Sequence, residues 1–318
     1  RTLHLDPSNP NTIYAGTTLG LFVSRNGGTS WQKLTVDVVI NSVAVHPENS
    51  QIILVGTDDA GILKSSDGGS TFQAANRGFV HRQMAALTSD PNREGLYYSS
   101  VSSDGKYGGF FYSRDSGRSW SSYNEGLEEE AGSIGDILTS RRSRKVYLAT
   151  PRGVHVGTPS QQPWQKFEAT AQLVVHDMTF ADTRERALFL ATSEGVFLLD
   201  LTTETTTHLV IPDYPDEVHA IFYDPLANQI FAGTNHGVFR SGDRGRAWQK
   251  KLSGLPDSPV NVLGKSGTRL FSGTRKGLFA SDNDGNRWSR SEGVHPIDIV
   301  DIQVNPQAEN QIFATDSV

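Results

Sequence analysis

The chain contains no cysteine. That excludes structural disulfides, thiolate metal sites and cysteine nucleophiles, and it leaves the cellular compartment open. Apolar residues are scarce, at 36% of the 318. No run approaches the roughly 20 apolar residues of a membrane helix, and no segment holds a helical period. An excess of basic charge is also lacking. The net charge of −6 argues against nucleic acid as the main partner, because that needs a concentrated basic field. No signal peptide is visible, but the chain starts at Arg1, not Met. A processed or truncated N-terminus is expected, so the missing leader is uninformative. Glycine is abundant, with 31 residues, as expected of many short strands joined by tight turns. The chain is long enough to bury a substantial core.

One short loop recurs five times: SRNGGTSW at 24–31, SSDGGSTF at 65–72, SRDSGRSW at 113–120, SGDRGRAW at 241–248 and SDNDGNRW at 281–288. With Trp164 included, the closing aromatics are spaced by 41, 48, 44, 84 and 40 residues. The 84 holds a degenerate copy near Thr206, so the period is about 43, that of a four-stranded propeller blade. Each copy opens with an apolar strand that ends in a turn, such as LHLDP at 3–7, VAVHP at 43–47 or IFYDP at 221–225. Asp before Pro favours the turn because its side chain caps the backbone and Pro presets φ. A second strand ends in a small residue and Thr, as in IYAGT, ILVGT, VYLAT and LFSGT. The third begins with Gly, as in GLFVS, GFFYS and GVFRS. The loop and a short fourth strand complete the copy. These patterns predict one all-β domain over 1–318, a single propeller of four-stranded antiparallel blades. Seven copies are complete, and the tail IVDIQVNPQAENQIFATDSV repeats the first two strands. Eight blades are favoured if residues upstream of Arg1 supply the missing outer half; seven is the alternative.

The loop S-x-D-x-G-x-x-W resembles the Asp-box, or BNR repeat, over nearly the whole chain. That repeat occurs in the propellers of sialidases, sortilin-type receptors, xyloglucanase-type glycosidases and the photosystem II assembly-factor family. Asp67, Asp115 and Asp243 keep the acid, while Asn26 and Asn283 replace it. Asn can accept the same loop N–H bonds, so the loops read as structural staples and not as chemistry. The aromatics Trp31, Phe72, Trp120, Trp248 and Trp288 are expected to plug the core between blades.

Strand alternation puts the DP turns and Asp-boxes on one face. The second-to-third loops fall on the other, where propeller ligands usually sit. There the residue before the glycine is Leu19, Ala60, Arg152, Glu194, His236 or Lys276 in successive copies. Varied chemistry at matching positions marks either a binding face in use or a face free to drift. Lys106 and Tyr107, in the insertion of the third copy, and Tyr214 join it as loop aromatics and a cation. Glu128, Glu129 and Glu130 read as a solvated acidic run, and Arg141 to Lys145 as a solvated turn. His155 takes a slot otherwise held by Phe and reads as a core histidine.

Sialidase chemistry would need an Arg triad, a Tyr–Glu pair and an early R-I-P segment, and no R-I-P occurs. The known xyloglucanase-type enzymes use two propellers and about twice this length. Asp58, Asp59, Glu194, Asp216 and Glu217 are the carboxylates available for glycoside hydrolysis, and none sits in a catalytic motif. No metal-binding spacing or cofactor motif appears. The reading is therefore a non-enzymatic, extracytoplasmic scaffold that binds a protein partner or a glycan on the loop face. A glycoside hydrolase is the alternative, and a subunit adding a strand at the terminal half-blade a third.

Overall fold

The computed structural model describes residues 2–79, 83–102, 108–127, 134–214, 217–251, 253–291, 298–304 and 312–316. Seven four-stranded antiparallel sheets follow one another along the chain, each with its strands in sequence order, and a two-stranded sheet follows them. The fold is an all-β propeller. The helical element among the described residues is one 3-10 turn, Glu168–Thr170. Two compact units divide the chain: Arg1–Thr150 with His155–Lys166, and Pro151–Val154 with Phe167–Ser317. The first holds sheets 1 to 3 and most of sheet 4; the second holds sheets 5 to 8.

Neighbouring sheets pack through a repeated contact. In sheet 2 the first strand is Ile40–Val45, and its leading residue Ile40 is fully buried. It presses on the second strand of sheet 1, where a Cβ added at Gly16 would lie 2.5 Å from Ile40 Cγ2. The pairs Gly56–Met84, Gly233–Val260 and Gly273–Ile299 repeat the arrangement. This explains the small residue near the end of every second strand: a side chain there would hold the next sheet off. Each buried leading residue contributes about 1.5–3 kcal/mol.

The same first strands begin with a β-bulge. Register slips at Ile40/Ser42, Val175/Asp177, Val218/Ala220, Val260/Val262 and Ile299/Asp301. The apolar residues of each pair are then three apart, as in Ile40 and Val43 or Val218 and Ile221, and the extra residue between them is free to turn elsewhere.

Two expectations change. The lean towards eight blades gives way to seven complete sheets, followed by the pair Ile299–Val304 and Ile312–Asp316. That pair occupies the next packing position, since Ile299 meets Gly273 as Val260 meets Gly233. Its inward residues Ile299 and Ile302 complete a cluster with Phe271, Leu278 and Ala280. Four of the fourth strands are also shorter than the four residues of a segment such as WQKL at 31–34: Gln32–Lys33, Gln73–Ala74, Ser121–Ser122 and Ser289–Arg290 have two each. Both residues are exposed in each of these strands, so burial adds little to hold a longer ladder.

Candidate functional site

The five Asp-box loops share one hydrogen-bond plan. The serine hydroxyls of Ser24, Ser65, Ser113, Ser241 and Ser281 accept from the N–H of Gly28, Gly69, Gly117, Gly245 and Gly285 at 2.7–2.9 Å. The same hydroxyls donate to Oδ1 of Asn26, Asp67, Asp115, Asp243 and Asn283. That Oδ1 in turn accepts the N–H four residues on, at 2.8–2.9 Å. Asn and Asp are interchangeable here because only the shared acceptor oxygen is needed. Hydrogen bonds from Thr71 and Ser65 hold the Asp67 carboxyl down at about 2, so it is an anion at neutral pH and cannot act as an acid.

The aromatic plugs divide into two groups. Trp120 and Trp288 are buried, as is Trp164, but Trp31 is 41% exposed and Phe72 and Trp248 only half-buried. The expectation that all of them plug the core is corrected for Trp31; Phe72 and Trp248 still pack against the clusters between their sheets, but at the margin. A buried aromatic sits beneath the connection that leaves the preceding sheet. Trp120, Trp164 and Trp288 donate their backbone N–H to the carbonyls of Arg77, Glu125 and Ser253 at 2.7–2.8 Å. The next residue is Gly78, Gly126 or Gly254 at positive φ, and a Cβ there would lie about 2 Å from the aromatic's carbonyl oxygen. Phe72 and Trp248 follow connections that lack this glycine (LTVDVV at 34–39, LVIPDYPDE at 209–217), and Trp31 belongs to the first sheet.

On the opposite loops a second staple repeats. The hydroxyls of Thr17, Thr192, Thr234 and Thr274 donate to the carbonyls of Gly20, Gly195, Gly237 and Gly277. They accept the N–H of Leu19, Glu194, His236 and Lys276. The non-repeating residue is thus held at a fixed turn position while its side chain varies. Thr57 does the same for Ala60, and Arg152 holds the equivalent turn of sheet 4.

In the second unit several of these residues meet. His236 Nδ1 lies 2.7 Å from Asp257 Oδ1, and Lys276 Nζ donates to the Asp257 carbonyl at 3.0 Å. The His236 bond is the main cause of a lowered Asp257 pKa. Tyr214 meets His236 edge-on, with ring centroids 5.9 Å apart. Glu194, His208, Val210, Ile211, Asp213 and Tyr214 line a cavity of about 340 Å³. In the first unit, Asp58 Oδ1 accepts from Asn41 Nδ2 at 3.2 Å, and Asp58 and Asp59 lie in the bend between the second and third strands of sheet 2. Lys106, Tyr107, Asp216 and Glu128 to Glu130 lie outside the described residues.

The bulges add residues that the sequence reading passed over. The displaced side chains include Asn41, His176, His219 and Asn261. Asn41 Nδ2 and Asn261 Nδ2 donate to the carbonyls of Met84 and Ile299 in the following sheets, at 3.0 and 2.9 Å. His176 Nε2 lies 2.7 Å from Glu217 Oε1, and 6.0 Å separates its ring from that of His219. His219 Nε2 pairs with Asn235 Oδ1 at 2.8 Å. Burial, helped by His219 and opposed by Glu217, lowers the His176 pKa. Among the described residues no group of three or more His, Asp or Glu side chains is placed to hold a metal ion.

A family model described as sortilin, neurotensin receptor 3 (Sortilin-Vps10) matches residues 20–132. The chain is 28% identical over 138 residues to the oligoxyloglucan-reducing end-specific xyloglucanase of Emericella nidulans, a match covering 36% of this chain and 16% of that enzyme. The GH74 enzyme of Niastella koreensis superposes with a TM-score of 0.65 at 16% identity, over 90% of this chain and 53% of that one. The structure of YCF48 bound to D1 peptide superposes with a TM-score of 0.61 at 18% identity, over 85% of this chain and 89% of that one. The chain therefore spans about half the GH74 structure and matches a much smaller part of the curated xyloglucanase. These superpositions show the β-propeller fold, and on it the five stapled Asp-box-like loops repeat.

A sequence signal for the propeller's bulge residues does exist. I-N-S-V at 40–43, V-H-D-M at 175–178, V-H-A-I at 218–221 and V-N-V-L at 260–263 each put two residues, not one, between inward apolar positions. A break from strict alternation is what a bulge leaves in a sequence. His155 is 1% exposed, as a core histidine should be. The run Arg141 to Lys145 is exposed, and its turn is ordered by Ser140 Oγ, which accepts from the N–H groups of Arg142 and Ser143.

Proposed function

We propose that the propeller is a non-enzymatic scaffold that binds a polypeptide partner through the Thr-stapled loops of its second unit. The observation carrying this reading is the cavity beside Tyr214, where the carboxylates of Glu194 and Asp213 flank an apolar wall of Val210 and Ile211. Val210 is 58% exposed, so apolar surface is on offer next to negative charge. That combination suits a segment carrying a basic residue beside an apolar one. A solved neighbour, YCF48, is bound to a peptide, which agrees with the reading. A peptide array of basic–apolar pairs tests it. Selected peptides should bind about tenfold more weakly to Glu194→Lys and Val210→Ser at unchanged melting temperature. Equal binding by both variants would overturn the assignment. We place this binding outside the cytoplasm, in line with the sortilin-type and xyloglucanase-type resemblance, and fractionation of source cells checks it.

The second reading, a glycoside hydrolase, is favoured by the xyloglucanase match and by Asp136. Burial raises the Asp136 pKa, although its carboxylate accepts the Ile137 N–H, and a general acid needs such a shift. Turnover of xyloglucan oligosaccharides that is lost in Asp136→Asn or Asp58→Asn would replace the scaffold reading.

A further inference from the structure

Two junctions between sheets share one architecture and differ in what fills it. Where sheet 6 meets sheet 7, Arg240 on the third strand donates to the Asp284 carbonyl of the next Asp-box at 3.2 Å. Where sheet 2 meets sheet 3, Lys64 holds the same strand position and donates to the equivalent carbonyl, Ser116, at 2.6 Å. Next to Arg240, Lys251 fills the slot, with Nζ 2.9 Å from Gln249 Oε1 and 2.6 Å from Asn286 Oδ1. Register aligns Lys251 with Ala75, Gln249 with Gln73 and Asn286 with Arg118. Near Lys64 the filling lysine is thus replaced by a methyl group, and its acceptor by a guanidinium. The slot opens there into a cavity of about 310 Å³ lined by Lys64, Arg118, Asp67, Thr71, Gln73 and Ala75.

We infer that this cavity binds a sugar acid, a monosaccharide-sized ligand whose single carboxylate lies between Lys64 and Arg118. The two slots differ in where the second cation sits. In the sister, Lys251 fills the slot beside Arg240 and is held by Gln249 and Asn286; here the second cation is Arg118, taking the place of the acceptor Asn286, the space of Lys251 is open, and an anion completes it. Asp67 does not fill that role, because Thr71 N–H, Thr71 Oγ1 and Ser65 Oγ already occupy its oxygens at 2.6–2.9 Å. Its charge still leaves the lining at one net positive charge, which one carboxylate neutralises and a dianion overshoots. Burial and the neighbouring Arg118 lower the Lys64 pKa, with Asp115 opposing, and a bound anion would relieve that strain. Gln73 and Thr71 provide partners for ring hydroxyls, and the volume lies at the small end of ligand pockets.

Glucuronate titrated into the protein, followed by amide NMR shifts and calorimetry, tests the inference, with glucose and inorganic phosphate as comparison arms. Saturable glucuronate binding is expected, with shifts at Lys64, Gln73 and Arg118. Arg118→Asn, which installs the sister junction's residue, should weaken it by about tenfold. Ala75→Lys, which fills the slot as Lys251 does, should abolish it. Raising salt from about 50 to about 500 mM should weaken it further. Arg118 is exposed, so Arg118→Asn remains folded and decides the matter if Ala75→Lys does not. Glucose binding as well as glucuronate, phosphate binding better, or glucuronate binding unchanged in Arg118→Asn would each overturn the proposal.

Discussion

Asp115 illustrates how a polar residue can be mistaken for chemistry. Its Oδ1 accepts the N–H groups of Arg118 and Ser119 and the Ser113 hydroxyl, while Oδ2 takes the Ser119 hydroxyl. Every lone pair in use points back into the loop. Asn26 reaches the same end with one oxygen and an amide that donates to Ser30 Oγ at 2.8 Å. Asp115→Asn should therefore melt within about 0.5 kcal/mol of the parent, whereas Asp115→Ala should lose about 1–2 kcal/mol, the cost of stranding capped N–H groups. Thermal denaturation of the two variants separates them. A loss for Asn as large as that for Ala would mean that the charge, not the geometry, matters. These roles were legible in the sequence because the loop recurs with Asp and Asn exchanged. The roles of His176 and His219 were harder to read: the V-H-D-M and V-H-A-I pattern marks the bulge, but the partners Glu217 and Asn235 are brought up only by the folded chain.

At the scale of elements, the connection between sheets decides how well an aromatic is buried. Phe79 follows Gly78 and packs at a tilt against Trp120, with centroids 5.3 Å apart, and Asn76 closes the turn by accepting the Ile62 N–H and donating to the Ala60 carbonyl. Asn124 does the same for Phe110 and Gly108. Trp120→Ala should cost about 3–5 kcal/mol as a core deletion, and the exposed Trp31→Ala below about 1 kcal/mol. Gly78→Ala should be destabilised by about 3 kcal/mol or more, because it strains a positive φ and drives a methyl into the Trp120 carbonyl. Urea denaturation midpoints compare all three. Equal losses at Trp31 and Trp120 would contradict the division of the plugs. The motif N-x-G-[FL] at 76–79 and 124–127 is present in the sequence, yet its meaning depends on the Trp of the following repeat.

For the whole molecule, pH acts through groups buried without a counter-charge. Burial drives His4 down to about 4, with Asp6 opposing, and its Nε2 has no hydrogen-bond partner. Between about pH 6.5 and 4 the unfolded chain therefore binds a proton that the folded chain refuses, so stability falls as pH drops through that window. His4→Gln should flatten the decline in melting temperature between those limits; an unchanged slope would remove His4 as its source. The Asp-box carboxylates act lower. Asp67 contributes stability above its unfolded pKa of about 4, and this is lost as pH falls towards 2.

The repeat, the strand order and the stapled loops were all written in the sequence, because each is a local hydrogen-bond or packing rule that reappears every 43 or so residues and so announces itself. Tertiary structure alone decided which plugs are buried, since burial of Trp120, Trp164 and Trp288 depends on a glycine about 35–45 residues upstream. It alone brought His236, Asp257 and Lys276 together and opened a slot at Ala75 that Lys251 fills elsewhere. Such contacts join positions that vary from copy to copy across different repeats. No periodicity records them; they exist once the sheets pack and the bulges turn their side chains.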